Sequence, residues 1–590
     1  MKTKKRVISP VRTERTGAQC VVDGLVKAGC EVLFAYPGGQ AIDMFNCIYD
    51  APFHFVLGRH EQGIVHAADG YARATGKVGC CLVTSGPGAT NTITGLATAH
   101  MDGIPLVCIS GQVPMHLIGT DAFQEADVMG ITRPVTKHNF LVRDVDELPD
   151  IIAQAFYIAS SGKPGPVVID IPKNVQKATT AVPPKDPKDV VMRAYRPVCK
   201  VDRADIRKLA DLINQSKSPL LYVGGGAVSG NASAEITKLA RKAGIPVCTT
   251  MMALGAFPED DPLSLGMVGM HGSAAANYAV DKSGLLISAG ARFDDRVTGK
   301  IDQFAAKAVT VHIDIDRSSI GKNVATHFGI HGDLKTVLTA VLPLVKNARH
   351  DAWVKQTQEW KQTYPLYYPE PEGVLMPQAV IQRIDAISKG RVVVTTDVGQ
   401  NQLWAAQFFT YTRPRTFISS GGLGTMGFGL PSAIGAQLGR PRERVVCVSG
   451  DGGIQMNFQE LVVAVEHKLP IVVVILNNGY LGMVRQWQEL FYGKRYSGVM
   501  LTQTGRRPNE RIEGGPAYLP DFVKIAEAHG AAACRITTLA EFDAAFRAGL
   551  ARKDGPTVIE CIVSPEANVY PMIPPGAHVS AMTGHVKDNA

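Results

Sequence analysis

Short β-branched segments alternate with alanine-rich stretches in three successive blocks of the sequence, residues 16–180, 200–345 and 378–570. Strands that alternate with helices in this way form parallel sheets covered by helices on both faces. We therefore predict an α/β protein with three doubly wound parallel-sheet domains in series, since 590 residues are too many for a single hydrophobic core. The predicted strands are 32–34, 55–57, 79–84, 106–110 and 167–171, then 220–223, 285–288 and 309–315, then 392–396, 445–449, 470–476 and 557–562.

Several segments between and beyond these blocks lack the alternation. Residues 1–15 form a basic tail, residues 178–200 a Pro- and Lys-rich linker, and residues 346–377 a charged, aromatic linker that we expect to cross a surface. Residues 502–517 interrupt the third block with polar, Gly- and Pro-rich sequence, which is typical of a loop or a disordered insertion. Residues 571–590 are predicted to form a C-terminal tail.

The composition excludes several classes of protein. The net charge of +8 is spread over 61 basic and 53 acidic residues, which does not indicate nucleic-acid binding. The longest apolar runs have the length of a strand and fall short of the roughly 20 residues that span a bilayer. Eleven cysteines form no Cys-x-x-Cys pair, so we expect reduced thiols in a cytoplasmic protein.

Polar side chains follow two successive strands of the third block. Gly450-Asp451-Gly452 comes directly after one predicted strand, and Asn478 follows the next. The carboxyl ends of parallel strands meet at one edge of a sheet, where ligands bind. A carboxylate and an amide oxygen suit Mg²⁺, while the glycines and a helix predicted to start near Asn457 suit a diphosphate. The alternative is a strand-end turn in which both side chains are ordinary caps.

The spacing of 27 positions between Asp451 and Asn478 resembles the signature of thiamine-diphosphate enzymes. In that family a glutamic acid in another domain binds the aminopyrimidine ring of the cofactor and assists removal of the thiazolium proton. Glu61, in Arg59-His60-Glu61-Gln62-Gly63, stands where the family carries this residue, although an exposed helix cap is the alternative. The role requires a desolvated carboxyl group that can hold and donate a proton near neutral pH.

Further segments resemble the catalytic large subunit of acetolactate (acetohydroxyacid) synthases, and the resemblance covers roughly residues 16–574. Tyr36-Pro37-Gly38-Gly39 and residues 84–91 and 121–125 match the pyrimidine-binding domain of that family. The resemblance implies an active site lined by Gln112, Phe123, Gln124 and Lys173. It implies that thiamine diphosphate is bound by Tyr36, Pro37, Gly38, Gly86, Gln400, Met426, Gly450, Gly452 and Gly453, and Mg²⁺ by Asp451, Asn478 and Tyr480.

The second block resembles the FAD-binding domain of acetolactate synthases. Three successive glycines follow a strand there, a pattern that is by itself also typical of a tight turn. Acidic residues after its apolar runs can accept hydrogen bonds from ribose or adenine. The resemblance implies that FAD is bound by Gly224, Gly225, Gly226, Gly269, Met270, His271, Arg292, Asp314 and Asp333.

The same resemblance narrows the reaction to the decarboxylation of pyruvate and its joining to a second 2-keto acid, pyruvate or 2-oxobutanoate, in branched-chain amino-acid biosynthesis. It assigns recognition of the second carboxylate to Arg296, for which a salt bridge with Asp294 or Asp295 is the alternative. Met426 is expected to support the bent cofactor. Met483 and Trp487, one helical turn apart, are expected to line the acceptor pocket, with a place in the core as the alternative.

Other activities are compatible with parts of this pattern. A glyoxylate carboligase also binds FAD, but that family carries an apolar residue where this chain has Glu61. A pyruvate oxidase and an inactive regulatory homologue are further alternatives, which the segments around Arg296 and Trp487 disfavour. The chain departs from the acetolactate synthase pattern at Gly453, where a serine is usual, and at the insertion 502–517 beyond Tyr496.

The two halves of the predicted cofactor site lie about 390 positions apart, in different domains. In the family these domains come from two subunits. The resemblance therefore implies a homodimer or homotetramer with active sites between subunits, and a regulatory small subunit is a possible partner.

Overall fold

The computed structural model describes residues 14–197, 200–501 and 519–586. The insertion predicted at 502–517 and most of the predicted N-terminal tail therefore lie outside the described residues. The chain divides into two compact units. One comprises the chain up to Ala68 and Val78–Arg196, and the other Asp69–Lys77 and the chain from Pro197 onward. No helix within the described ranges is both long and apolar enough to span a membrane.

The first unit contains a six-stranded parallel sheet in the order β3-β2-β4-β5-β7-β6 and a small antiparallel pair of β1 with β8. The strand order reverses between β2 and β4, which opens a crevice at their carboxyl ends. The strands are β1 (Arg15–Thr16), β2 (Val32–Ala35), β3 (His54–Leu57), β4 (Gly79–Val83), β5 (Leu106–Gln112), β6 (His138–Leu141), β7 (Pro166–Pro172) and β8 (Thr179–Thr180). The helices are α1 (Gly17–Lys27), α2 (Ile42–Ile48), α3 (Glu61–Thr75), α4 (Pro87–Thr90), α5 (Ile93–Asp102), α6 (Val128–Thr132), α7 (Leu148–Ser160) and α8 (Lys173–Lys177).

The second unit begins with a parallel sheet in the order β11-β10-β9-β12-β13-β14. In chain order this is 3-2-1-4-5-6, the arrangement that dinucleotide-binding domains use, with its reversal between β9 and β12. The strands are β9 (Pro219–Val223), β10 (Val247–Thr249), β11 (Ser264–Met267), β12 (Leu285–Ala289), β13 (Val309–Asp314) and β14 (Phe328–His331). The helices are α9 (Arg203–Gln215), α10 (Gly225–Ser229), α11 (Ser233–Ala243), α12 (Ala274–Lys282), α13 (Asp295–Thr298), α14 (Leu334–Val341) and α15 (Asp351–Thr363).

The third sheet, also in the second unit, is parallel in the order β16-β15-β17-β18-β20-β19. Its chain order, 2-1-3-4-6-5, is the same as that of the first sheet, with the reversal between β15 and β17. The strands are β15 (Val392–Thr396), β16 (Phe417–Ile418), β17 (Arg444–Gly450), β18 (Val472–Asn477), β19 (Ala532–Ile536) and β20 (Thr557–Ile562). The helices are α16 (Pro377–Ser388), α17 (Gln400–Phe408), α18 (Gly429–Gly439), α19 (Asp451–Ile454), α20 (Leu461–Glu466), α21 (Gly482–Phe491), α22 (Phe522–Ala528) and α23 (Leu539–Ala551).

These sheets confirm the prediction of three doubly wound α/β domains in series. Each predicted strand corresponds to an observed one within two residues at either end. The sequence did not predict β6, β10, β11, β14, β16 and β19, which have two to five residues. All but β10 lie at a sheet edge, where a strand is short and only partly buried and carries little apolar pattern.

The stretch 346–377, expected to cross a surface, contains the helix α15. Trp353 on this helix is buried, donates from Nε1 to the carbonyl of Pro219 at 2.9 Å, and packs edge-on against Trp360. The aromatic residues that suggested a surface crossing therefore cover one face of the central sheet domain.

A buried carboxyl group, Glu259, joins the central and third sheet domains. The backbone N–H of Tyr411 donates to its Oε2 at 2.7 Å, and burial raises the pKa of Glu259 to about 8, with Lys361 opposing the shift. Because the folded-state pKa lies above the ordinary value of 4.5, this group's contribution to stability is full below pH 4.5 and is lost as the pH rises through about 8.

We predict that Glu259→Gln stabilises the protein most at high pH. The amide keeps an oxygen for the N–H of Tyr411 but carries no charge. The thermal midpoint should rise by at least about 2–4 °C at pH 9, equivalent to about 1 kcal/mol in a domain of this size, and the gain should shrink toward pH 5. Thermal unfolding at both pH values tests this, with the exposed Glu527→Gln as control. An equal gain at both pH values would contradict the burial argument.

Candidate active site

A cavity of about 460 Å³ lies at the carboxyl edge of the third sheet, where the strand order reverses between β15 and β17. The cavity brings together many of the residues that the sequence singled out. These are Gln400, Met426, Gly450, Asp451, Gly452, Gly453, Asn478, Tyr480 and Met483.

Asp451 lies at the first position after β17 and is almost fully buried. Gly452 N–H donates to its Oδ1 at 2.9 Å, and Gly479 N–H donates to its Oδ2 at 2.6 Å. Burial nevertheless raises the pKa of Asp451 to about 7. A cation beside this carboxylate would compensate for the charge that the cavity buries, as expected of a metal ligand.

Asn478 lies beyond the end of β18, which pairs directly with β17, so the two predicted metal ligands share one edge. Its Oδ1 accepts from Tyr480 N–H at 3.0 Å and retains a second lone pair. Gln400 Oε1 accepts from Asn478 Nδ2 at 3.4 Å. Among the described residues no cluster of three or more His, Cys, Asp or Glu side chains forms a metal site. A cation here would therefore need further oxygen ligands from a bound molecule, as Mg²⁺ takes from a diphosphate.

A helical segment does start directly after Asn457, as a 3-10 turn that continues into α20, but Asn457 is not among the residues that line the cavity. A helical turn, α19, begins at Asp451 itself, and Asn457 precedes a 3-10 turn while its Nδ2 donates to Gly427 O at 2.8 Å. A Cβ atom would lie 2.6 Å from the Leu481 side chain at Gly452 and 2.3 Å from Asp397 at Gly453, so the glycines let these groups approach the turn closely. The N–H groups at the cavity therefore come from the glycine turn.

Two residues that the sequence did not identify also line the cavity. Asn401 and Trp404, on α17, are 5% and 1% exposed. Within the described part of the chain, Asn401 Oδ1 and Trp404 Nε1 have no hydrogen-bond partner. Buried polar atoms rarely stay unpaired, so these atoms indicate that the cavity is built for a polar ligand. The available signal was the Val398-Gly399 pair after β15, at the same sheet edge as Gly450.

Gly453, which replaces the usual serine, packs against the buried carboxyl group of Asp397. A Cβ atom at Gly453 would lie 2.3 Å from Asp397 Oδ1. Asp397 accepts from Val398 N–H at 2.8 Å and from Gly427 N–H at 3.0 Å, and burial raises its pKa to about 6. The Asp397 carboxyl group thus occupies the space that a side chain at 453 would need. It lies between the glycine turn and the loop that carries Met426.

In the first unit, predicted cofactor residues meet at the reversal between β2 and β4. Tyr36 N–H donates to Leu82 O at 3.0 Å, and a Cβ atom at Gly38 would lie 2.4 Å from the Thr84 side chain. Gly86, with φ of 59°, adopts a conformation that favours glycine, and it packs under Gln124. These loops thus lie at the carboxyl edge of the first sheet.

Glu61 starts α3 near the same edge. Asn91 Nδ2 donates to its Oε2 at 3.0 Å, and its Oε1 approaches the position of a Cβ atom at Gly88 to 3.5 Å. The carboxyl group is only half-buried within this chain. The desolvation that its predicted role requires would need additional covering surface, and it stays a prediction.

The other residues predicted for the first-domain active site divide into exposed and buried ones. Phe123 is 83% exposed, and Lys173 Nζ donates to Gly39 O and pairs with Asp43, both at 2.9 Å. Gln112 is instead buried at the end of β5. Its Nε2 donates to Asp170 Oδ2 and Ala126 O, both at 3.0 Å, so it anchors the loop that carries Phe123.

In the central domain, the predicted FAD residues lie along the carboxyl edge of the sheet, and Gly224, Gly225, Gly226 and Arg292 lie at the reversal between β9 and β12. A Cβ atom at Gly224 would lie 2.3 Å from Gly290 O, so the glycines let these two loops approach closely. Asp314 and Asp333 follow β13 and β14 and cap the next turns, accepting from Asp316 N–H and Thr336 N–H. Burial lowers the pKa of His271 to about 4, so this side chain is neutral. The sheet order and the glycine loops fit a dinucleotide.

Arg296 and Trp487 are brought together in the second unit, from the central and third sheet domains. The Arg296 guanidinium lies 5.6 Å from the centre of the Trp487 ring, within cation–π range. Its contact with Asp295 is long, 3.8 Å, and both side chains are exposed, so that salt bridge is weak. Asp294 pairs with Arg292 instead, at 2.6 Å. The guanidinium therefore remains accessible to a carboxylate beside the wall of α21.

Comparisons with known proteins agree with this geometry. Residues 15–131 match the N-terminal TPP-binding domain of thiamine pyrophosphate enzymes, residues 206–341 the central domain, and residues 397–561 the C-terminal TPP-binding domain. The chain is 45% identical to an acetolactate synthase of Mycobacterium bovis, over 95% of this chain and 90% of that protein. It is 46% identical to the acetolactate synthase large subunit of Parasynechococcus marenigrum, over 96% and 91%, and 43% identical to that of Porphyra purpurea, over 98% and 97%.

Proposed function

Since the chain belongs to the acetolactate synthase large-subunit family of thiamine pyrophosphate enzymes, we propose the following division of labour among its residues. The reaction is the decarboxylating condensation of pyruvate with a second 2-keto acid, pyruvate or 2-oxobutanoate. The observation that carries the proposal is the cavity that joins Asp451, Asn478 and the glycine turn at the carboxyl edge of the third sheet.

The diphosphate and Mg²⁺ are assigned to this cavity. Asp451 and Asn478 would supply hard oxygen ligands to the cation, and the 450–453 turn, whose glycines carry no side chains, would hold the phosphates. Gln400 is held by Gln486 and by Ala567 O, both at 2.9 Å, and it orients Asn478. Asn401 Oδ1 and Trp404 Nε1 are further candidates for ligand contacts, because they are buried and unpaired within the described chain.

Thiamine diphosphate, when bound, supplies the nucleophilic carbon that adds to pyruvate and accepts the electron pair left by departing carbon dioxide. Glu61 holds the proton exchanged with the aminopyrimidine ring, and Asn91 orients its carboxyl group. Met426 supports the cofactor from below, and Met483 lines the adjoining wall. The chain otherwise contributes orientation and the exclusion of water.

Arg296 binds the carboxylate of the acceptor through paired charge-assisted hydrogen bonds. The ring of Trp487 holds the guanidinium from one side and packs edge-on against Phe491 at 5.8 Å. An aromatic pocket wall of this kind can favour binding of 2-oxobutanoate over pyruvate, because it contacts the additional methylene of 2-oxobutanoate.

We predict that Trp487→Leu lowers the preference for 2-oxobutanoate by about tenfold, within the ~1–3 kcal/mol that one methylene supplies. The measurement is the ratio of 2-aceto-2-hydroxybutanoate to 2-acetolactate formed from mixed substrates. Leu490→Ala, at an exposed position of the same helix, is the matched control. An unchanged product ratio would place Trp487 in the core and remove it from the acceptor pocket.

FAD is proposed for the central domain, supported by its 3-2-1-4-5-6 strand order and by the close approach of Gly224 and Gly290. The candidate ligands lie at the carboxyl ends of β9, β11, β12, β13 and β14, and they include Gly225, Met270, Arg292 and Asp333. The overall reaction has no redox step, so we assign FAD an organising role.

A homodimer or homotetramer is proposed because the predicted site draws on two separate domains, and because Phe123 is highly exposed. A second copy of the chain would cover this side chain and complete the burial of Glu61. Several relatives are named large subunits, so a regulatory small subunit is the proposed heterologous partner.

The test is to incubate the purified chain with pyruvate, thiamine diphosphate, Mg²⁺ and FAD and to measure 2-acetolactate, omitting each cofactor in turn. Formation of acetolactate that depends on thiamine diphosphate and Mg²⁺ is the expected result. Acetate production with an electron acceptor, and no acetolactate, would favour a pyruvate oxidase instead.

A further inference from the structure

The segment that carries Arg296 has little structure of its own. Residues 294–300 contain only the four-residue helix α13, which ends before Gly299, a residue with φ of 56°. A cavity of about 490 Å³, bounded by α12 and residues 573–579, lies against this segment. Val297 packs against the core of the central domain and Thr298 is buried, and on the side of the cavity the segment contacts the chain around residues 573–579.

Those contacts come from one loop at the end of the described chain. Residues 571–583, here called the C-terminal loop, are closed by an antiparallel bridge in which Met572 and Thr583 exchange hydrogen bonds of 3.0 and 2.9 Å. Ile573 and Met582 are buried with Ala274 of α12. The C-terminal loop is thus a compact element docked on the central domain.

Hydrogen bonds link the C-terminal loop to the Arg296 segment by two routes, one through Met270 and one direct. Met270 N–H donates to Arg296 O at 2.8 Å, and Met270 O accepts from Ile573 N–H at 2.8 Å. Lys300 N–H donates to Ala577 O at 3.1 Å. A Cβ atom at Gly299 would lie 2.5 Å from Ala577 O, so the approach is close.

A polar side-chain contact also links the C-terminal loop to α12. His578 Nε2 lies 3.1 Å from Asp281 Oδ1 at the end of α12, and its Nδ1 lies 3.0 Å from Ser580 Oγ. Lys282 Nζ also pairs with Asp281, at 2.8 Å. Resting on the proposed function, we propose that His578 and Asp281 are positioning residues for the acceptor 2-keto acid. They hold the C-terminal loop, which in turn holds the Arg296 backbone.

The first test does not depend on activity. Hydrogen–deuterium exchange of the amides in residues 294–300 should be about three- to tenfold faster in His578→Ala than in the unaltered chain, as expected for loss of one hydrogen bond to a charged group. His578→Gln, which can still donate to Asp281, should restore slow exchange. The exposed His54→Ala serves as control. Unchanged exchange in His578→Ala would overturn the proposal even if the chain makes no acetolactate.

The second test distinguishes an effect on binding of the acceptor 2-keto acid from an effect on the cofactor or on the donor step. With pyruvate as donor, the KM for 2-oxobutanoate should rise about three- to tenfold in His578→Ala and in Asp281→Asn, and the double variant should be no worse than either. Thiamine diphosphate affinity and kcat at saturating acceptor should stay within about twofold of the unaltered chain. Equal losses in cofactor affinity and kcat would show a general structural role and would overturn the assignment.

Discussion

Glu61→Gln should lower kcat for acetolactate formation by about 100- to 10,000-fold, the usual contribution of a positioned acid or base. Glutamine keeps the size of the side chain and an oxygen that accepts from Asn91 Nδ2, so the local fold should persist. The amide cannot hold the proton that the aminopyrimidine ring exchanges. Affinity for thiamine diphosphate should change much less than kcat.

Steady-state kinetics with saturating cofactors measure the effect on kcat. Glu541→Gln is a matched control, because Glu541 also lies in the first turn of a helix and its capping interaction survives the change to glutamine. If Glu61→Gln retains more than about a tenth of the activity, Glu61 is an ordinary helix-terminal residue, since a lost general acid costs more than that.

Asp451→Asn should weaken metal-dependent binding of thiamine diphosphate by at least about 100-fold, because even residues behind metal ligands typically cost 10–100-fold. The amide oxygen can still accept from a neighbouring backbone N–H, but the buried negative charge that attracts the cation is lost. The chain without cofactor should unfold at the same temperature or higher, since burial disfavours the ionised carboxyl group, whose pKa is about 7.

Binding can be followed by the cofactor-induced rise in thermal midpoint and by tryptophan fluorescence, because Trp404 lines the cavity. Glu259→Gln is the matched control, a buried carboxyl group of the same unit outside the cavity. Asp451→Asn that binds thiamine diphosphate and Mg²⁺ normally would show that the cation lies elsewhere.

The sequence predicted the positions of the strand ends well, because runs of β-branched residues followed by glycine or polar residues mark them locally. Asp451 and Asn478 follow runs of β-branched residues, and parallel pairing of β17 with β18 places them together whatever the details of the connecting helices. The same reasoning placed Gly224 after a strand, and the structure shows that this strand, β9, lies at the reversal of its sheet. Short edge strands escaped prediction because their apolar pattern is too brief to detect.

Other parts of the site depend on tertiary structure and were not predictable. Asn401 and Trp404 look like the first turn of an ordinary amphipathic helix, and only the folded chain shows their polar atoms unpaired at a cavity. The place of Asp397 in the site is recognised only from its contact with Gly453, which is 56 positions away in the sequence. The contact between Arg296 and Trp487 joins two domains, which no local pattern encodes.

The hydrogen-bonded strands of the central sheet have a consequence for engineering. Within the described residues, β9–β14 pair only with one another, so the central domain is a cassette with its own sheet between two domains of like strand order. A chimera that exchanges this cassette between relatives would leave both neighbouring β-ladders intact. Because residues 571–583 dock on α12, a working exchange would have to transplant that distant stretch together with the cassette.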